Sequence, residues 1–146
     1  MKTIGRIDKI DLPDLGLSDI EAKVDTGAYG CSLHCHHIET IMENGIHTLT
    51  FKVLDPSHDL YENRVFKVTG FSEKVVKSST GQAENRYTIK TTLVIFGKKR
   101  KVEFSLTDRK EMKYPILIGR KFLTKRFLVD VQQKDLSYKE KQQRQS

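Results

Sequence analysis

The sequence predicts an all-β fold, either a barrel or a sandwich. Short apolar runs recur along the chain, and turn signals rich in Gly, Pro, Asn or Asp separate them. Several of these runs alternate apolar with polar residues, as strands with one buried face do. Helical periodicity is almost absent. The 146 residues suffice for one domain with a core of its own and are too few for two.

The first half of the chain contains strand-like runs at residues 4–12, 20–24, 31–38 and 47–54. The first run alternates loosely, and we expect an outer strand or an arm at a dimer interface. The last run follows Asn44-Gly45, a pair that favours a tight hairpin because both residues accept positive φ. Its alternation predicts that Leu49, Phe51 and Val53 face the core.

The second half adds strand-like runs at residues 65–68, 74–76, 87–96, 101–106 and 127–129. Residues 78–82 form a polar cluster between two of these runs, which predicts a hairpin tip. A further hairpin is expected about Gly97, and the final run is a candidate for a dimer interface. From residue 132 the chain is polar and charged. We therefore expect a domain over residues 1–131 and a disordered tail over 132–146.

Composition narrows the classes of partner. Lys and Arg number 26 against 19 Asp and Glu, a formal net charge of +7 that favours acidic partners. Nucleic acid is not expected, because aromatic residues make up only 8% and form no base-stacking array. No apolar run approaches membrane-spanning length, which predicts a cytoplasmic protein without a membrane partner. Two cysteines are too few for a disulfide framework.

Two separated motifs stand out. In residues 22–28, Asp25-Thr26-Gly27 ends a strand and places a carboxylate at a rim, although the tripeptide alone also suits an ordinary strand-end turn. In residues 114–120, a short apolar run ends at Gly119 and suits a buried strand. The residues that follow, 120–123, can form one helical turn.

Together the two motifs resemble the retropepsin-like aspartic peptidases, whose Asp-Thr-Gly-Ala loop is supported by an apolar strand ending in Gly and by a short helix. Further matching segments are residues 4–6, 12–16, 32–34, 84–87 and 106–109. Within that group the chain is most similar to a family labelled ATP-dependent zinc proteases, which is associated with glutamate-adding ATP-grasp ligases of the RimK type. The resemblance implies a closed retropepsin-like β-barrel with one short helix near the C-terminus.

The resemblance also implies roles for individual residues. Asp25, Thr26 and Gly27 are the expected catalytic residues. An aspartic peptidase needs two carboxylates, so a homodimer is expected, in which the second copy supplies its own Asp25. Peptide or protein substrate is expected to contact Ala28 and Tyr29, together with Ser79 and Gly81 if the predicted hairpin tip is a flap rather than a surface turn. Ile118, Gly119 and Arg120 are expected to support the loop.

Two alternatives remain open at this stage. One is a dimer that binds peptides without cutting them. The other is a zinc-dependent hydrolase, for which Cys31, His34 and Cys35 are the candidate ligands, although no His-Glu-x-x-His motif is present. The default expectation is that no cofactor is bound, and that the ATP in the family label belongs to a ligase partner. Glu84, Arg86 and Asp108 suit either structural salt bridges or substrate contacts.

Overall fold

A computed structural model describes residues 1–77, 81–108 and 113–145 and confirms the all-β class. The strands are β1 (Lys2–Ile4), β2 (Ile7–Leu12), β3 (Leu17–Val24), β4 (Cys31–Glu43), β5 (Ile46–Val53), β6 (Phe66–Val68), β7 (Phe71–Lys77), β8 (Ala83–Ile95), β9 (Lys98–Thr107), β10 (Ile116–Ile118) and β11 (Phe127–Val129), and the helices are α1 (Arg120–Leu123) and α2 (Leu136–Gln145).

Six strands close into a barrel in the order β10-β3-β2-β8-β9-β4, since β10 pairs with β4 as well as with β3. β5 and β6 extend the sheet beyond β4, and β7 pairs with β8. The closed barrel and the short helix α1 agree with the fold that the sequence resemblance implied. β1 lies apart from the barrel and pairs in parallel with β11, whereas β2 belongs to the barrel wall.

The residues of β5 that were predicted to face the core, Leu49, Phe51 and Val53, are all buried, and so are Thr48 and Thr50 between them. Leu49 and Phe51 are fully buried, as is Phe104 on β9. The hairpin between β4 and β5 turns at Asn44 and Gly45, with φ of 52° and 77°. Both φ values are positive, as a tight hairpin turn requires and as the Asn-Gly pair predicted.

The predicted disordered tail is wrong for residues 136–145, which form α2. The fully buried carboxylate of Asp8 accepts hydrogen bonds from the backbone N–H groups of Ser137 (2.9 Å) and Tyr138 (3.1 Å) at the start of this helix. The hydroxyl of Ser137 in turn accepts one from Phe96 N (2.8 Å). Composition alone could not reveal this helix, because the contacts that hold it come from the other end of the chain.

The helices of the described residues include none that is long and apolar enough to span a bilayer.

Candidate active site

The loop that carries Asp25 begins where β3 ends. Asp25 N donates to the carbonyl of Ile118 (2.9 Å), which ties the start of the loop to β10. Its side-chain Oδ1 accepts a hydrogen bond from Gly27 N (3.0 Å), and its carbonyl accepts one from Ala28 N (3.2 Å). The carboxylate is half-buried at the barrel rim, so it is oriented by the backbone and still reachable by a substrate.

β10 supports this loop from behind. It lies between β3, to which it runs parallel, and β4, to which it runs antiparallel. At its end the backbone passes very close to the chain after the loop: a Cβ on Gly119 would lie 2.3 Å from Gly30 O and 2.6 Å from Tyr29 O. Both of these atoms belong to the backbone and cannot swing aside, so the position requires glycine.

The first turn of α1 fastens the other side of the loop. Arg120 N donates to Ala28 O (2.9 Å) and Lys121 N to Tyr29 O (2.8 Å). The guanidinium of Arg120 reaches Thr26 O (2.9 Å) and lies 5.9 Å from the centre of the Tyr29 ring. Ile118, Gly119 and Arg120, the predicted support residues, therefore all contact the loop, and that this loop is catalytic stays a prediction.

The predicted substrate residues are only partly brought together. Ala28 lies in the loop, and Tyr29 stands at its rim with 63% of its surface exposed. Gly81, with φ of 84°, precedes β8 in the hairpin that β8 forms with β7. Ser79 lies outside the described residues, so the predicted flap tip has no structural description.

A cavity of about 220 Å³ lies between the loop and this hairpin. Its charged lining residues are Lys74 on β7, Arg86 on β8, Glu103 on β9 and Lys121 on α1. Sequence reasoning missed Lys74 and Lys121 as site residues. The net positive charge indicated an acidic partner. The pairing of β7 with β8 places Lys74 in this lining, and the first turn of α1 places Lys121 there.

The Cys and His candidates for zinc do not converge. Cys31 and Cys35 are buried, and burial raises the pKa of both thiols, which opposes the thiolate form that metals bind. His34 Nδ1 lies 3.2 Å from Thr107 O, and its Nε2 is 3.8 Å from Asp55 Oδ2. Across residues 1–77, 81–108 and 113–145 no three His, Cys, Asp or Glu side chains form a group that could hold a metal ion.

These features define a retropepsin-like barrel whose aspartate loop lies at the rim. The family model described as RimB-like, retropepsin-like aspartic endopeptidase RimB, matches residues 3–140. The chain belongs to this family, which confirms the resemblance found in its sequence motifs.

Similar proteins fall into two groups. Proteins named probable alpha-L-glutamate ligase from Desulfotalea psychrophila and Parasynechococcus marenigrum are 31% and 33% identical over 133 and 131 residues, which is 88% and 87% of this chain. The matches span only 28% and 27% of those proteins. A crystal structure of a Legionella pneumophila protein of unknown function, Lpg0085 (DUF785), has a TM-score of 0.68 at 28% identity, covering 93% of this chain and 98% of the other.

Proposed function

We propose that the protein is an aspartic endopeptidase that works as a homodimer, in which Asp25 and the Asp25 of a second copy activate a water molecule. The observation that supports this best is the way the Asp25 loop is held. Backbone hydrogen bonds fix it to β10 and α1, and Gly27 N orients one carboxylate oxygen while the side chain stays accessible. Such preorganisation suits a group that must meet its counterpart in a defined geometry.

The chemistry follows from two carboxyl groups at close range. They share a proton, because two adjacent carboxylates do not both ionise readily. One then accepts a proton from water as the water attacks the amide carbon, while the other protonates the carbonyl oxygen. Thr26 and Gly27 shape the loop, and Gly27 leaves room for the partner loop and the substrate backbone.

Acidic or glutamylated protein is the substrate class that we propose. The chain carries a formal net charge of +7, and the cavity beside the loop has three basic residues and one acidic residue. A link to a glutamate-adding ligase is supported by the relatives named probable alpha-L-glutamate ligase, of which this chain matches about a quarter. We propose that both activities occur in the cytoplasm, where the ligase adds glutamates and this enzyme removes them.

The test is the Asp25→Asn substitution. The amide keeps the shape of the side chain but cannot act as a base, so cleavage of a peptide library should fall by at least about 10²-fold. The Asp59→Asn variant, which changes an exposed loop carboxylate, is the matched control and should retain full activity. Sedimentation velocity checks that both variants keep the oligomeric state of the wild type.

Three results would contradict the proposal. Unchanged turnover in Asp25→Asn would remove the aspartate from the mechanism. Binding of peptides by the wild type with no cleavage at all would favour a silent peptide-binding dimer. Activity that a chelator abolishes and zinc restores would favour a metal-dependent hydrolase.

A further inference from the structure

A second cavity, of about 480 Å³, lies away from the aspartate loop. Its volume is in the range of small-molecule sites, about 300–1,000 Å³. Pro115, which lines it, precedes β10, whereas the Asp25 loop is tied to the last residue of that strand. The two sites are therefore at opposite ends of β10. The polar residues that line the second cavity, among those that the structure describes, are His34, Asp55, Ser57, His58 and Lys113.

The backbone beside this cavity is strained. Leu54, which follows β5, has a φ of 71°, and its side chain is buried. A bulky residue rarely adopts this conformation, because its Cβ crowds the backbone. The hydrogen bond from Leu54 N to His34 O (2.9 Å) helps to hold it, and Asp55 Oδ2 comes to lie 3.8 Å from His34 Nε2. Strain of this kind is concentrated at sites that bind ligands or catalyse reactions.

The carboxylate of Asp55 is held in its charged form. Its Oδ1 accepts hydrogen bonds from Ser57 N (3.0 Å) and from Ser57 Oγ (2.7 Å), and these bonds lower the pKa of Asp55. Oδ2 takes part in neither bond, so this oxygen can accept a hydrogen bond from a ligand. The cavity therefore offers a fixed negative charge to a cationic donor.

His58 and Lys113 supply donors to the same cavity. His58 Nδ1 accepts a hydrogen bond from Leu60 N (3.0 Å), so the proton of the neutral ring is on Nε2. Lys113 takes part in no salt bridge with another residue of the described ranges. Asp55 would repel a simple anion and Lys113 a simple cation. A ligand that carries an ammonium and a carboxylate group is attracted by both residues.

We infer that this cavity binds a free α-amino acid. Asp55 accepts a hydrogen bond from the ammonium group of the ligand, and Lys113 and His58 donate to its carboxylate. Hydrogen bonds to charged groups are stronger than those between neutral ones, so both ends of the ligand contribute to binding. The site is separate from the aspartate loop and does not require the proposed peptidase activity.

Binding of L-alanine tests the site, because L-alanine carries both charges on a minimal side chain. Titration followed by NMR should give a dissociation constant of about 1 mM or tighter, as expected from two hydrogen bonds to charged groups. N-acetyl-L-alanine lacks the charged amine, and L-alaninamide lacks the carboxylate. Each should bind at least about ten-fold more weakly than L-alanine, because one charged hydrogen bond is lost.

Two substitutions test the residues. Asp55→Asn removes the charge but keeps an oxygen that can accept the bonds from Ser57, and Lys113→Gln removes the opposite charge. Each should weaken the binding of L-alanine at least about ten-fold. Asp59→Asn and Lys99→Gln remove the same charges at exposed positions and are the matched controls, which should bind as the wild type does. Circular dichroism checks that all four variants are folded.

Three results would overturn the inference. The first is a wild type that does not bind L-alanine, or that binds either blocked derivative equally well. The second is binding by Asp55→Asn and Lys113→Gln at the affinity of their controls. The third is loss of binding in Asp25→Asn, which would place the ligand at the aspartate loop.

The outcome is independent of the proposed function. A wild type that binds L-alanine through Asp55 and Lys113 but cuts no peptide would keep this site and remove the peptidase. A wild type that cuts peptides but binds no L-alanine would keep the peptidase and remove the site.

Discussion

Gly119 shows how one residue can decide the geometry of the candidate site. The chain after the Asp25 loop and the chain after β10 approach so closely that no Cβ fits between them. The contact lets the first turn of α1 bond to the carbonyls of Ala28 and Tyr29. The sequence motif contains this glycine, and the structure explains why no other residue fits at the position.

We therefore expect Gly119→Ala to destabilise the protein by about 1–3 kcal/mol or more, as overpacking against a rigid neighbour does. Cleavage should fall further than the loss of folded protein explains, because the loop moves away from its position on β10. Chemical denaturation and peptide cleavage measure the two effects.

Gly70→Ala is the matched control, since a Cβ there meets nothing within 4 Å. Equal stability and activity in the two alanine variants would show that the loop tolerates displacement.

At the scale of elements, the sequence predicted what depends on local signals. Neighbouring residues alone predict three features: the turn at Asn44-Gly45, the strand β5 and the strand that ends at Gly119. Local signals do not predict α2 or the cavity lined by Lys74, Arg86 and Lys121, because each depends on residues far apart in the chain. Asp8 accepts a hydrogen bond from Ser137 N, and Lys74, Arg86 and Lys121 line one cavity, only in the folded chain.

The attachment of α2 can be tested at Asp8. Asp8→Ala leaves the buried N–H of Ser137 and the part-buried N–H of Tyr138 without their acceptor, which should cost about 1–3 kcal/mol. Hydrogen exchange should increase across α2 first. Asp59→Ala, at an exposed loop position, is the control and should change neither quantity.

The same variant has a pH dependence of defined sign. Burial raises the pKa of Asp8 above its usual 3.8. A carboxyl group with a raised folded-state pKa stabilises most below its unfolded pKa, and this contribution declines as pH rises through the folded value. The loss of stability in Asp8→Ala should therefore be smaller at neutral pH than at pH below 3.8, and the opposite trend in urea titrations would contradict the assignment.

For the whole molecule, the question is where a second copy attaches. Among the described residues β1 and β11 pair only with each other, and a two-stranded sheet of this kind is marginal by itself. Its edges are templates for pairing with another chain. Leu128, whose side chain is 56% exposed, and Val131, at 68%, add apolar surface at the same place.

We predict that β1 and β11 form the dimer interface and that Leu128→Glu shifts the equilibrium to monomer, since it places a charge in an interface that would otherwise bury a leucine. The dimer dissociation constant from sedimentation velocity should rise by at least about ten-fold, because losing a buried interface anchor costs more than about 1.4 kcal/mol. Leu60→Glu makes the same change at another exposed leucine, 43% exposed in the loop after β5, and should leave the dimer intact. Because one chain offers a single Asp25, cleavage should fall in proportion to the dimer that remains. A Leu128→Glu monomer with full turnover would mean that the site is complete within one subunit.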